Sequence, residues 1–321
     1  MRFLAIMLAV VAATFAAPAA AEQWPTRNVR IIVPYPRGGN VDGAARILAG
    51  KLQERLGQPF TVENKPGSEG LAAAEAFAKS ANDGYTLFVS ANGPVLFAPE
   101  INKRDAYQWK RDFIPITTIS MTPLVLEVHP SVQARTAKEF FALARERQGK
   151  VTMASPGAGT TNHLLGELAQ STLGVKWAIV QYRGNAPATN DLVAGHVQFA
   201  FDHISVALPY IRSGALRALA VTSAHRLSSL PNVPTFAELG YAAFDAQSFT
   251  GLFAPAGTPA AVIERLHEVT AAILKDPAVA EKFEKLGAET VIMTPAEFTT
   301  YLEGQDAKWL PVVRDADIKA D

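Results

Sequence analysis

The chain has 321 residues, 30 Lys+Arg against 30 Asp+Glu, 49% hydrophobic residues and no cysteine. That suits one large or two medium globular domains with real cores, and it excludes disulfides, thiolate metal sites and a lipid-bearing cysteine. A formal net charge of +0 offers neither a basic stripe for nucleic acid nor a polybasic segment for a membrane surface.

Met1 to Ala21 carries one charge at Arg2, an apolar core and the small-residue run Ala19-Ala20-Ala21 before Glu22, the pattern of a cleaved secretory signal. The competing reading is a membrane anchor, since Phe3 to Ala21 is almost unbroken in its apolar character. Its Ala-rich second half and Pro18 favour cleavage, and hence an exported protein located in the periplasm of a Gram-negative cell. Val29 to Tyr35 then reads as a strand. From Asp42 to Leu56 the residues Ala45, Leu48, Ala49, Leu52 and Leu56 recur at helical spacing, and Gly57 stops the helix. Pro59 to Gly67 predicts a second strand and turn, Leu71 to Ala78 a second helix, and Tyr85 to Gly93 a third strand. The same order recurs in "KVTMASPGAGTTNHLLGELAQSTLGV" and "WAIVQYRGNAPATNDLVAGHVQFAFDH". Ala215 to Ser223 and Ser248 to Pro255 are further strands, and helices fill Ala260 to Leu274, Pro277 to Leu286 and Pro295 to Arg314.

Strands alternating with helices imply an α/β protein, and the recurrence implies two Rossmann-like lobes joined by a hinge. The tail has no Gly-rich loop of its own, so it is expected to complete the first lobe. Residues 1–21 are then the signal peptide, 22–125 plus 248–321 lobe 1, and 126–247 lobe 2.

Two loops carry the candidate chemistry. In "PYPRGGNVD" two glycines stand where a strand turns into a helix, which lets a ligand approach the backbone and meet the unpaired N–H groups of a helix start. Asn40 or Asp42 as an ordinary N-cap is the bland alternative. "ASPGAGTTNH" occupies the same place in the second lobe. Neither loop has phosphate-motif spacing, so a carboxylate is the more economical ligand.

With these loops in hand, the chain resembles the extracytoplasmic substrate-binding proteins of tripartite tricarboxylate transporters, the Bug family. The resemblance rests on "WPTRNVRIIVPYPRGGNVD", "LGQPFTVENKPG", "DGYTLFVSANG", "ASPGAGTTNH", "AFDHISVALPYIRSGALRALAVTSAHR", "LPNVPTFAELG" and "GLFAPAGTP". It implies a two-lobed periplasmic binding protein fold of type II, monomeric, that holds a small organic acid between its lobes and delivers it to membrane permease subunits, without a cofactor. The positions it implies for the ligand are Tyr35, Gly38, Gly39, Asn40 and Asp42 in the first loop, and Ser155, Gly159, Thr160, Thr161 and His163 in the second. Asn92, Gly93, Arg183, Gly184 and Asp202 are expected at further strand ends facing the cleft. Two departures stand out: Arg37 precedes Gly38 where the family usually has proline, and "PGSEG" with Glu69 replaces a common "PGAGG". Arg37 brings a fork-shaped carboxylate donor beside the cleft, suited to a second carboxylate, against a bland reading as a solvated loop residue.

Other readings compete. The same lobes suit a sensor that presents bound acid to a kinase. Ser155, His163 and Asp202 contain the ingredients of a hydrolase triad, but no G-x-S-x-G surrounds the serine, and the chain is read as a binding protein, not an enzyme. The six histidines, at 129, 163, 196, 203, 225 and 267, include no pair at metal-helix spacing, so no metal site is expected. His163 alone is placed near the ligand. Tyr35, Phe97 and Phe249 either line an apolar part of the pocket or belong to the core. Lys51, Glu54, Arg55 and Arg145 to Arg147 read as solvated helix faces.

Overall fold

β-branched residues buried on both faces make Val29–Val33 (β1) an interior strand, with only Arg30 reaching solvent. The structure, a computed structural model, describes residues 24–67, 70–285 and 287–319. The expected signal segment, residues 1–21, and Glu69 lie outside the described residues. Helix α1 (Asn40–Leu56) buries Ala44, Ala45, Leu48, Ala49 and Leu52, small and apolar residues that let it lie close on the sheet, and it ends on Gly57 in the left-handed conformation. The chain continues through β2 (Phe60–Asn64), α2 (Leu71–Ala78) and β3 (Thr86–Ser90). A π-helical turn, Gly93–Phe97, leads into α3 (Ala98–Ile101), followed by α4 (Trp109–Asp112) and the sixteen-residue β4 (Phe113–Val128).

The second half opens with α5 (Ala137–Glu146), capped by Thr136. It alternates through β5 (Thr152–Ser155), α6 (Thr161–Leu173), β6 (Ala178–Gln181), α7 (Asn185–Val193), β7 (Phe199–His203), α8 (Ile204–Ser213) and β8 (Arg217–Val221). β9 (Gln247–Pro255) then returns, and α9 (Ala260–Leu274), α10 (Pro277–Lys285) and α11 (Pro295–Asp315) finish the chain.

The strands lie in the order β2-β1-β3-β9-β4-β7-β5-β6, with β8 on β4. This row contains one pattern twice. β1 is parallel to β2 and β3, while β9 runs antiparallel between β3 and β4. Likewise β5 is parallel to β6 and β7, while β4 runs antiparallel between β7 and β8. Each lobe thus takes its antiparallel strand from a crossing segment, and β4 serves both. Its partner changes at Pro123, which pairs with Gln247 at the start of β9, whereas Leu124 pairs with His203. A proline has no N–H for the ladder, so the exchange falls where a ladder bond is missing anyway. Register shifts at Pro115/Thr117, Thr118/Ser120 and Leu126/Glu127 curl the strand from one lobe into the other.

The largest apolar cluster is continuous across the lobes, from Phe77, Phe97 and Ile101 to Leu164, Phe199 and Phe236, with Phe298 and Trp309 of α11 joining it. Phe97 and Phe249 are fully buried in that cluster, which settles them as core residues. α1 begins two residues before the expected Asp42: Gly39 is its N-cap, and no side chain caps it, so neither Asn40 nor Asp42 is an N-cap. The long β4, the short α3 and α4, the π-helical turn and α8 were absent from the sequence expectations, and of α5 only the charged face around Arg145 was read as helical.

Candidate functional site

The loops that follow β1, β3, β5 and β6 leave the carboxyl ends of parallel strands, the edge at which open α/β sheets bind ligands. In the first loop Gly38 takes φ +85° and Gly39 leads into α1, whose first turn has no side-chain cap. Asp42 is buried on this turn. Its Oδ2 accepts the Gly38 N–H at 2.9 Å and Arg46 Nε at 3.0 Å, and its Oδ1 accepts Asn64 Nδ2 at 2.8 Å. Burial alone would raise its pKa, but the bonds from Arg46, Gly38 and Asn64 outweigh it and hold the carboxyl below its ordinary value. Asp42 is therefore occupied in shaping the loop, and the Gly38 N–H is already committed to it. Asn64 also donates to the Tyr35 carbonyl at 3.0 Å, so β2 fixes the loop from beneath. Asn40 reaches the other way, donating to Thr122 of β4 at 3.0 Å. The Tyr35 hydroxyl has no hydrogen bond among the described residues, and burial raises its pKa. Arg37 is exposed and has neither a hydrogen bond nor an ion pair among the described residues.

The second loop is bonded to itself. Ser155 Oγ exchanges bonds of 3.3 and 3.4 Å with Gly157, and Thr160 Oγ1 donates to Gly157 O at 2.8 Å while accepting the His163 N–H at 3.3 Å. Thr160 is thus the N-cap of α6, and Thr161 is buried in its first turn. His163 Nδ1 accepts the Gly159 N–H at 3.2 Å, which leaves Nε2 to carry the proton toward Glu167, 3.6 Å away. His163 is a strut inside the loop. The neighbouring loop lies alongside, because the Gly184 N–H donates to Pro156 O at 2.9 Å. Gly184 heads α7 without a side-chain cap, and Arg183 before it is exposed and unpartnered among the described residues. Of the two adjoining loops, the one at Gly184 leads to an uncapped helix start, that of α7, while the α6 start, where the Ser/Gly/Thr loop leads, is capped.

Asp202 joins the lobe 2 loops. It is buried, and its oxygens accept Asn185 Nδ2 at 2.7 Å, Thr189 Oγ1 at 3.0 Å, Asn162 Nδ2 at 3.3 Å and the His203 N–H at 2.8 Å. Burial pushes its pKa up to about 6, the four bonds pulling the other way. Burial lowers His203 to about 4. Ser155, His163 and Asp202 each bond to other groups and not to one another, so no relay links them. Among the described residues no group of three or more His, Asp or Glu could hold a metal ion.

The two lobes meet at glycines. A Cβ placed on Gly93 would lie 3.4 Å from Gly159 O and 3.9 Å from the Tyr35 hydroxyl, so first loop, π-turn and second loop converge there. Beside it Asn92 Oδ1 accepts the Phe249 N–H at 3.1 Å, while its buried Nδ2 has no partner among the described residues. Sequence reasoning missed Asn64, Arg46, Asn185 and Thr189. The last two fall one and five residues after Gly184, at the i, i+4 spacing that puts both on one helix face, and that was the available signal.

Two α/β lobes sharing crossing strands, with Gly93 of one meeting Gly159 of the other where their loops converge, define a solute-binding protein. The chain belongs to the family described as "Tripartite tricarboxylate transporter family receptor", which matches residues 44–318. Protein BugT of Bordetella pertussis is 37% identical over 320 residues, 99% of this chain and 98% of that protein. Among solved structures, Rpa4515 of R. palustris with adipate superposes with a TM-score of 0.84 at 32% identity, covering 93% of this chain and 100% of that one. MatC (Rpa3494) from Rhodopseudomonas palustris with bound malate gives 0.81 at 29% identity, covering 90% and 100%.

Proposed function

We propose that this protein captures a small organic acid, a dicarboxylate of the malate or adipate kind, between its lobes in the periplasm and hands it, as a monomer, to the permease subunits of a tripartite tricarboxylate transporter. The observation that carries this reading is the uncapped start of α1 behind Gly38 and Gly39, in the same loop as Tyr35, whose hydroxyl lies beside Gly93 where Gly93 meets Gly159 of the other lobe. An anion there gains from unpaired N–H groups and from the helix dipole, each contact contributing about 0.3 to 2 kcal/mol. Micromolar affinity, about −8 kcal/mol, therefore needs several donors at once. In this reading the free donors are the backbone N–H groups of Gly39 and Asn40, the Tyr35 hydroxyl, Asn92 Nδ2 and the first-turn N–H groups of α7 after Gly184, with Arg37 and Arg183 at the rim. Asp42, Ser155, Thr160, Thr161, His163 and Asp202 hold the loops in shape. Lobe 1 comprises 22–125 and 248–321, lobe 2 comprises 126–247, and residues 1–21 serve as the export signal.

The test is a thermal-shift and calorimetric screen of Glu22 to Asp321 against mono-, di- and tricarboxylates. A ligand at a hundredfold excess over Kd stabilises the folded state by about 2.7 kcal/mol. A selective shift with one class of dicarboxylate is expected. If no acid shifts the protein and mass spectrometry finds none released on denaturation, the carboxylate reading fails.

A further inference from the structure

Ile101 ends α3 in lobe 1, and its side chain is buried. It does not point only into its own lobe. A Cβ built on Gly159 of lobe 2 would overlap Ile101 Cδ1 and lie 3.6 Å from Cγ1, so the side chain rests on the bare Cα of that glycine. Gly159 has φ +67°, a conformation that glycine adopts freely, and its carbonyl lies 3.4 Å from where a Cβ on Gly93 would stand. Gly159 thus clears the space for the isoleucine, and Gly93 clears it for the Gly159 carbonyl. The contact is made of protein atoms alone and lies at the edge of the apolar cluster that runs through both lobes, where Ala158 joins Ile101.

α3 is tied to α11 by the Glu100–Arg314 pair at 2.8 Å, and Gly159 is tied to α6 through His163. A shift at Ile101 is therefore felt at the Gly159 backbone and, through its bond to His163, at the start of α6. We propose that Ile101 is a positioning residue for capture: its terminal methyl seats on Gly159, latches the second loop onto lobe 1, and sets the fraction of molecules already closed before ligand arrives. Affinity then carries that fraction as a factor, because a ligand that needs the closed form binds in proportion to its population.

The inference rests on the reading that ligand sits between the lobes, and its test separates the two. The chain has no cysteine, so Glu54→Cys in α1 and Lys138→Cys in α5, both exposed, give a clean pair for spin-label distances across the lobes. Ile101→Val removes only the Cδ1 methyl and keeps a buried β-branched side chain, and Gly159→Ala blocks the seat. Without added acid, the parent pair is expected to show a short-distance population that shrinks in Ile101→Val and vanishes in Gly159→Ala. Saturating malate or adipate restores the short distance in Ile101→Val, with apparent affinity weakened about twofold to tenfold. A ligand-free distribution that lacks the short population in the parent, or that is the same in parent and Ile101→Val, overturns the latch. Absence of any response to the acids counts instead against the carboxylate reading and leaves the ligand-free comparison intact as the test of the latch.

Discussion

Asp202 concentrates the residue-scale chemistry of lobe 2, since one buried carboxylate organises the starts of α6 and α7 through Asn162, Asn185 and Thr189. Its folded pKa of about 6 stands above the ordinary 3.8, so the folded state holds this proton more tightly than the unfolded chain. The resulting stabilisation is fully present below about pH 3.8 and is lost as pH rises through about 6, a change on the order of 3 kcal/mol. Asp202→Asn does not titrate. Its cost in urea unfolding is therefore expected to be greater at pH 4 than at pH 7, and equal costs at the two pH values would refute the assignment. Glu127, buried in β4 near Asp202 and without a hydrogen-bond partner among the described residues, has its pKa raised by burial and by the Asp202 charge, which adds in the same direction. Arg37 poses a different question, because it is exposed and its guanidinium is uncommitted among the described residues. If it reads a second carboxylate, Arg37→Ala weakens dicarboxylates by about tenfold and spares monocarboxylates, given what a charge-assisted bond contributes. Equal losses for both classes in calorimetry would return Arg37 to the solvent.

At the scale of elements, the crossings between the lobes depend on a threonine. Thr222, just past β8, accepts the Leu124 N–H at 2.8 Å and donates to Ala246 O, joining β4 to the segment that enters β9. Thr222→Val leaves a buried donor and acceptor unpaired, so a loss of about 1–3 kcal/mol in urea unfolding is expected, with Thr222→Ser retaining most of the stability. A valine variant as stable as the parent would show that the crossings hold without this bond. The sequence made the periodic elements plain, α9 from Ala260 to Leu274 and α2 from Leu71 to Ala78 being read with the bounds they have. β4 escaped because "FIPITTISMTPLVLEV" carries two prolines and a run of Thr and Ser that mimic a loop, and because its partners β7, β8 and β9 lie far along the chain. The glycines of the two loops were legible as helix starts that admit a ligand. Which helix ends are capped was not, since Thr160 closes α6 while α7 stays uncapped, and both loops offer Gly and hydroxyl or amide residues in similar order. The Asp42–Asn64 bond spans 22 residues and joins types common in any loop, so only the folded chain brings it out.

For the whole molecule, two lobes with one continuous apolar cluster raise the question of whether they unfold together. α11 begins in lobe 1 with Phe298 and Leu302 in the cluster, and it packs on α6, the helix behind the second loop. Lys308 of α11 also donates to Asp245 O beside the second crossing. Separating the lobes completely would expose Trp309, Phe249 and Leu164, all essentially fully buried, and burying a side chain of that size contributes about 1.5–3 kcal/mol. Independent melting would forfeit these contributions, so a single cooperative transition is expected. Tryptophan placement allows the check: Trp177 lies in lobe 2, while Trp24 and Trp109 lie in lobe 1 and Trp309 in α11. A variant keeping only Trp177 reports lobe 2, and Trp177→Phe reports the rest. Urea midpoints from the two should coincide when each is referred to its own far-ultraviolet circular dichroism, and a binding acid should raise both together, since ligand held between the lobes stabilises the joined state. Separate midpoints, with acid moving only one, would mean that the shared cluster does not couple the lobes and that ligand is held by one of them alone.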